Sequence, residues 1–85
     1  MEIILLPEAE NHLNFWKKTG NKKVLKKISE LIKATIDSPY EGLGKPEALK
    51  YQLTGKWSRR IDQKNRFVYM VTDKYLYVYS LKGHY

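Results

Sequence analysis

Apolar positions recur along this chain first with a helical period and then with a two-residue period, and the change divides it. Residues 2–6 are a short apolar run closed by Pro7, which predicts a strand. From Glu8 to about Lys18 the pattern is helical: Ala9, Leu13 and Trp16 share one face, and Glu8 and Glu10 suit the positive N-terminal end of a helix. Thr19-Gly20-Asn21 interrupts it, with Gly20 as a stop and Asn21 as the next N-cap. Val24, Leu25, Ile28, Leu31, Ile32 and Ile36 then trace a continuous apolar stripe, with Lys22, Lys23, Lys26, Lys27 and Lys33 around the rest of the helix. Asp37-Ser38-Pro39 ends it, because the residue before a proline is pushed out of the helical region. The short connection predicts an antiparallel helix pair.

Residues 39–48 read as a loop. Beyond it the period falls to two. Leu49–Leu53, Trp57–Asp62 and Arg66–Thr72 read as strands, followed by a ribbon from Tyr75 to Tyr85, with tight turns at Thr54-Gly55, Gln63-Lys64-Asn65 and Asp73-Lys74. Short connections predict an antiparallel meander. The expected fold is α+β: an N-terminal strand and an antiparallel helix pair packed on one face of a twisted, mainly antiparallel sheet, as one domain over residues 1–85. A strand rising about 3.3 Å per residue would carry His84 and Tyr85 to a defined place on the final ribbon. Alternation puts Trp57, Arg59 and Ile61 on one face and Ser58, Arg60 and Asp62 on the other.

Composition narrows the chemistry. There is no cysteine and there are two histidines, His12 and His84, so neither a disulfide framework nor a thiolate zinc site is available, and no metal or cofactor is expected. No stretch suits a signal peptide or a membrane span, so a soluble, cytoplasmic protein with no membrane partner is expected. The formal net charge of +7 is uneven: residues 1–43 carry 7 Lys against 6 acidic residues, whereas residues 44–85 carry 9 Lys or Arg against 3. All three arginines, Arg59, Arg60 and Arg66, lie in the second half. A basic half interleaved with tyrosines points to a polyanion with bases to stack, RNA or DNA. Gly42 and Gly44 lack the spacing of a phosphate-binding loop.

A carboxylate, an arginine and a histidine are the kit for phosphoryl transfer within RNA. A base takes the ribose 2′ proton, an acid protonates the departing 5′ oxygen, and a cation waits for the phosphorane. The 39–48 loop and the residues just after it supply Lys45, Glu47 and Lys50 as candidates, and the sheet supplies Arg59, Arg60, Arg66 and the His84-Tyr85 end. Each also has a plain structural reading, such as Glu47 pairing with a neighbouring lysine. His12, set among Leu13, Phe15 and Trp16, reads as structural. The Tyr75-Tyr77-Tyr79 stripe could stack bases, cover a dimer seam or pack on a peptide. A non-catalytic RNA- or ribosome-binding module and a pure protein-interaction partner are the rival readings.

The segments Pro39-Tyr40-Glu41-Gly42-Leu43-Gly44-Lys45-Pro46-Glu47-Ala48-Leu49-Lys50, Leu53-Thr54-Gly55-Lys56-Trp57-Ser58-Arg59-Arg60-Ile61, Asn65-Arg66-Phe67-Val68-Tyr69 and His84-Tyr85 closely resemble the Txe/YoeB family, part of the RelE-like superfamily of bacterial toxin–antitoxin systems. The resemblance spans nearly the whole chain. It implies a ribosome-dependent mRNA endonuclease that cuts in the A site without a metal. It implies Glu47 as general base, Arg66 as transition-state stabiliser, His84 as general acid and Tyr85 as a substrate-orienting residue, with Lys50, and Arg59 or Arg60, at positions that bind the RNA backbone. Its implied partners are the ribosome and mRNA, a cognate YefM-like antitoxin with an acidic segment, and a second copy of the chain in a homodimer.

Overall fold

The computed structural model describes residues 1–84. The elements run β1 (Glu2–Leu5), α1 (Pro7–Lys18), α2 (Lys22–Asp37), β2 (Glu47–Ala48), β3 (Trp57–Arg60), β4 (Arg66–Val71) and β5 (Tyr75–Ser80), with one 3-10 turn at Tyr51–Leu53. The strands form a five-stranded sheet in the order β1-β5-β4-β3-β2. β2 to β5 pair antiparallel as a meander, and β1 pairs parallel with β5. β1 and β5 are not consecutive in the chain: the helix pair and strands β2 to β4 lie between them, so no tight turn forces the pair to run antiparallel.

Local signals start and stop the helices where the sequence places them. Pro7 occupies the first turn of α1, where its missing N–H costs nothing, and Glu8 and Glu10 sit at the positive end of the helix dipole. The Asn21 side chain caps α2 by accepting the Val24 N–H at 3.1 Å. The core lies between this helix pair and one face of the sheet. Ala9, Trp16, Val24, Ile28 and Leu31 from the helices meet Ile61, Phe67, Tyr69, Leu76, Val78 and Leu81. Among the described residues no helix is long and apolar enough to cross a membrane.

Three expectations about strands are corrected. Leu49–Leu53 is no strand: the pairing residues are Glu47 and Ala48, and the segment after them is the β2–β3 connection. Tyr51 has φ +59, which is incompatible with extended backbone, and Leu53 and Thr54 donate to the Lys50 and Tyr51 carbonyls instead of to a neighbouring strand. β3 stops at Arg60 because the Asp62 carboxylate accepts the Lys64 and Asn65 N–H groups, each at 2.8 Å, and makes a turn. The final ribbon stops at Ser80, because helix α1 and the β3–β4 turn hold the chain beyond it.

A one-residue irregularity precedes that end. Val68 and Tyr69 are adjacent, yet their partners, Ser80 and Val78, are two apart, so β5 carries one extra residue at Tyr79.

Candidate functional site

The face of the sheet away from the helices carries a cleft of about 220 Å³ lined by Glu47, Leu49, Ser58, Arg60, Arg66 and His84. Strand register builds most of it. Glu47 lies opposite Ser58, and Arg60 lies opposite Arg66. The loop before β2 is drawn in by the Arg60 N–H, which donates to the Gly44 carbonyl at 2.7 Å. His84 arrives from beyond β5. The Gly83 N–H donates to Asn65 Oδ1 and the Gly83 carbonyl accepts the Arg66 N–H, both at 2.9 Å, so the residue before His84 is latched to the residues that carry Arg66. Gly83 has φ +91, a conformation glycine adopts without penalty.

Arg66 is fixed by its own turn. Its Nη1 donates to the Asp62 carbonyl at 2.7 Å and to the Asn65 carbonyl at 3.2 Å. That leaves the rest of the guanidinium edge without a hydrogen-bond partner among the described residues. Directly opposed like charges on paired strands repel. Arg60 and Arg66 are such a pair, and among the described residues neither guanidinium forms an ion pair. An anion seated between them would relieve the repulsion and take charge-assisted hydrogen bonds. Burial pushes the Asp62 carboxyl up, but the Lys64 and Asn65 N–H groups, the Asn65 side chain and the Arg66 charge outweigh it, so the group is held below the usual carboxylate range. The turn beneath Arg66 therefore keeps its carboxylate ionised.

The residues predicted as a site divide accordingly. Glu47, Arg66, His84 and Arg60 share the cleft. Lys45 lines an adjoining groove with Lys27, Asp62 and Gln63, and Arg60 and Arg66 belong to both hollows. Lys50 lies in neither; it is exposed at the exit of β2. Tyr85 lies outside the described residues.

Arg59 is corrected outright as an RNA-backbone contact. It is 0% exposed, on the helix-covered side. Its guanidinium donates to the carbonyls of Leu43 at 2.7 Å, Glu41 at 3.1 Å and Ser38, and its Nε donates to the Tyr69 hydroxyl at 3.2 Å. It staples the 38–43 loop to the sheet. The alternation predicted for β3 separated the two arginines correctly; only packing shows which is inside.

Ser58, Leu49 and Asn65 were not among the predicted site residues. Ser58 shares the open face with Arg60 by strand alternation, so a signal existed. Nothing local marks Asn65 as the partner of a glycine 18 residues away. Among the described residues no cluster of three or more His, Cys, Asp or Glu side chains could hold a metal ion.

A family model for the YoeB-like toxin of bacterial type II toxin–antitoxin systems matches residues 6–85. The chain belongs to that family. It is 46% identical to Toxin YoeB of Escherichia coli K12 over 85 residues, 100% of both chains. The fold superposes on a YoeB/ParE toxin from Agrobacterium tumefaciens with a TM-score of 0.95 at 37% identity, covering 100% of both chains. A Staphylococcus aureus YoeB dimer gives 0.93 at 41% identity, and a YoeB–YefM complex from the same organism gives 0.90 at 42%; each covers 100% of this chain and 98% of the other. This chain is therefore a toxin of a type II toxin–antitoxin system.

Proposed function

We propose that this toxin is an mRNA endoribonuclease that works on the ribosome, cutting the message in the A site, and that the Glu47–Arg60–Arg66–His84 cleft is where the phosphodiester is broken. The observation that carries this reading is the convergence of a carboxylate, an imidazole and two opposed guanidinium groups on one small open cleft. Glu47 accepts the proton of the ribose 2′-OH, and the 2′ oxygen attacks the adjacent phosphorus. The bond from phosphorus to the 5′ oxygen breaks as His84 donates a proton to that oxygen. The products are a 2′,3′-cyclic phosphate and a 5′-hydroxyl, and atoms and charge balance without a further reactant.

Arg66 and Arg60 stabilise the extra negative charge of the phosphorane, and because Arg66 is already oriented by its turn, little reorganisation accompanies the reaction. The nucleophile is tethered to the phosphorus, so proximity is supplied by the substrate itself, and the step needs no metal. Lys45 extends the cationic lining beside the cleft, Lys50 and Tyr85 are further substrate contacts by family resemblance, and Arg59 drops out of this set.

The partners follow the same reading. An acidic antitoxin segment of the YefM type neutralises the basic half, in line with the S. aureus complex, and the toxin forms a homodimer, in line with the S. aureus dimer. Primer extension on translating ribosomes tests the activity. Strand breaks at the A site are expected with chelator present, lost when the message carries a single 2′-deoxy nucleotide at the cut position, with ribosome binding retained. Intact message in every reaction, with binding undiminished, would replace the enzyme by a ribosome-blocking module.

A further inference from the structure

We infer that His12, on the opposite side of the sheet from the cleft, is a positioning residue for His84: its Nδ1 holds the strand end from which the catalytic imidazole is hung. The inference rests on the reading of His84 as the group that protonates the leaving oxygen.

The problem His12 solves is one of reach. β5 ends at Ser80, and the Leu81 side chain is in the core on the helix side, 0% exposed. His84, three residues later, lines the cleft on the other side of the sheet. A chain that crosses from one face to the other in three residues, one of them a glycine, has no ladder to keep it in place. Two clasps replace the ladder. At Leu81 the N–H donates to His12 Nδ1 at 3.1 Å and the carbonyl accepts the Trp16 Nε1–H at 2.9 Å. His12 and Trp16 are four apart on α1 and so neighbours on one helical face, gripping both polar groups of one peptide residue. At Gly83 the second clasp is Asn65 and Arg66, described above. Ser80 Oγ, donating to the Lys82 carbonyl at 3.0 Å, braces the span between them.

The Leu81 N–H is buried with its residue and has no water to turn to, so the acceptor on α1 is obligatory. Because the partner is a donor, Nδ1 must carry its lone pair, and the ring proton sits on Nε2, 3.7 Å from Glu8 Oε1. A side chain that read from sequence as structural thereby presents one specific nitrogen to the Leu81 amide, with the Ser80 hydroxyl 3.4 Å from the same nitrogen. Only the first of the two clasps involves α1, so removing it should loosen the arm without touching any group in the cleft.

His12→Leu removes the acceptor at similar size, and His12→Asn returns one, since Asn Oδ1 falls close to the position of Nδ1. Two readouts are taken on each purified variant: steady-state cutting kinetics on translating ribosomes, and amide hydrogen exchange at Gly83 relative to Phe67 in the core. His12→Leu is expected to lower kcat tenfold or more with KM within twofold, and to speed Gly83 exchange relative to Phe67. His12→Asn is expected to restore both. A role confined to general stability would move both amides together and would not be rescued by an amide oxygen.

Gly83 protection unchanged in a folded His12→Leu, or still lost in His12→Asn, overturns the inference. Should His12→Leu fail to fold, His12→Asn decides alone: it must keep Gly83 protection and kcat, and loss of either overturns the inference. If the wild type cuts no message, the functional reading falls, while the exchange comparison still decides whether His12 holds the arm.

Discussion

Replacing Arg59 by methionine keeps the unbranched stem of the side chain, about as far as Nε, while deleting the guanidinium. Four acceptors lose a donor: the carbonyls of Ser38, Glu41 and Leu43 and the hydroxyl of Tyr69. Hydrogen bonds to a charged group contribute about 1.5–3 kcal/mol each net of water. The sum overstates the loss for two reasons. The three carbonyls are only part-buried and can regain water, and the variant no longer has to desolvate a cation. A buried charged group whose contacts are broken typically costs about 3–5 kcal/mol, and the partial exposure here sets the expectation near 3 kcal/mol. For a domain whose whole stability is about 5–15 kcal/mol, that is a large share. With a urea m-value of about 1 kcal/mol/M for so small a protein, the midpoint followed by Trp16 and Trp57 fluorescence should fall by about 3 M.

A second signature is electrostatic. Burial pushes the Tyr69 phenol up and the Arg59 hydrogen bond and charge oppose that rise, so in Arg59→Met the phenol should titrate higher still. The control is Arg60→Ala, one residue along but on the open face, for which a stability change within about 0.5 kcal/mol is expected. If the two substitutions prove equally mild, Arg59 is no staple and the reasoning from its burial is wrong.

Other consequences are open to simpler measurements. Gly44→Ala places a Cβ 2.8 Å from Leu31 Cδ2 and 3.0 Å from Arg59 Cβ, at a residue with φ +84. The overlap and the backbone penalty together should cost about 2–4 kcal/mol, seen as a fall in Tm of about 10 °C or more; a wild-type melting curve would contradict this. Asp62 has a folded-state pKa below its unfolded value, so it contributes stability above about pH 4 that is lost as pH falls through the lowered folded value. Asp62→Asn should accordingly lose stability near neutrality and show a flatter acid limb in urea titrations from pH 6 down to pH 2, and an unchanged slope would dismiss the carboxylate's role. Arg60→Ala should weaken binding to single-stranded RNA and reduce the slope of log K against log salt by about 0.7, the value for one lost phosphate contact; a slope that stays put would remove Arg60 from the interface.

Much of this architecture is local and was legible in the residues. The stripe from Val24 to Ile36, the Asn21 cap, the Pro39 stop and the separation of Arg59 from Arg60 each depend on neighbours within one or two turns of chain, and such short-range preferences survive into the fold. The likeness of four segments to a known toxin family named Glu47, Arg66 and His84 together, although nothing in their spacing brings them near one another.

Tertiary structure decided what depends on distant partners. Leu49–Leu53 has the composition of a strand, yet the register of β2 against β3 makes it a connection. Tyr75–Tyr85 reads as one ribbon, yet α1 takes hold of Leu81 and Asn65 takes hold of Gly83, so the strand ends early and His84 turns into the cleft. Arg59 and Arg60 are the same residue type in adjacent positions, and only the loop carbonyls folded over one of them make it structural. Pattern along a chain reports what each residue prefers; which groups meet is settled by pairings tens of residues apart, whose closure no local preference encodes.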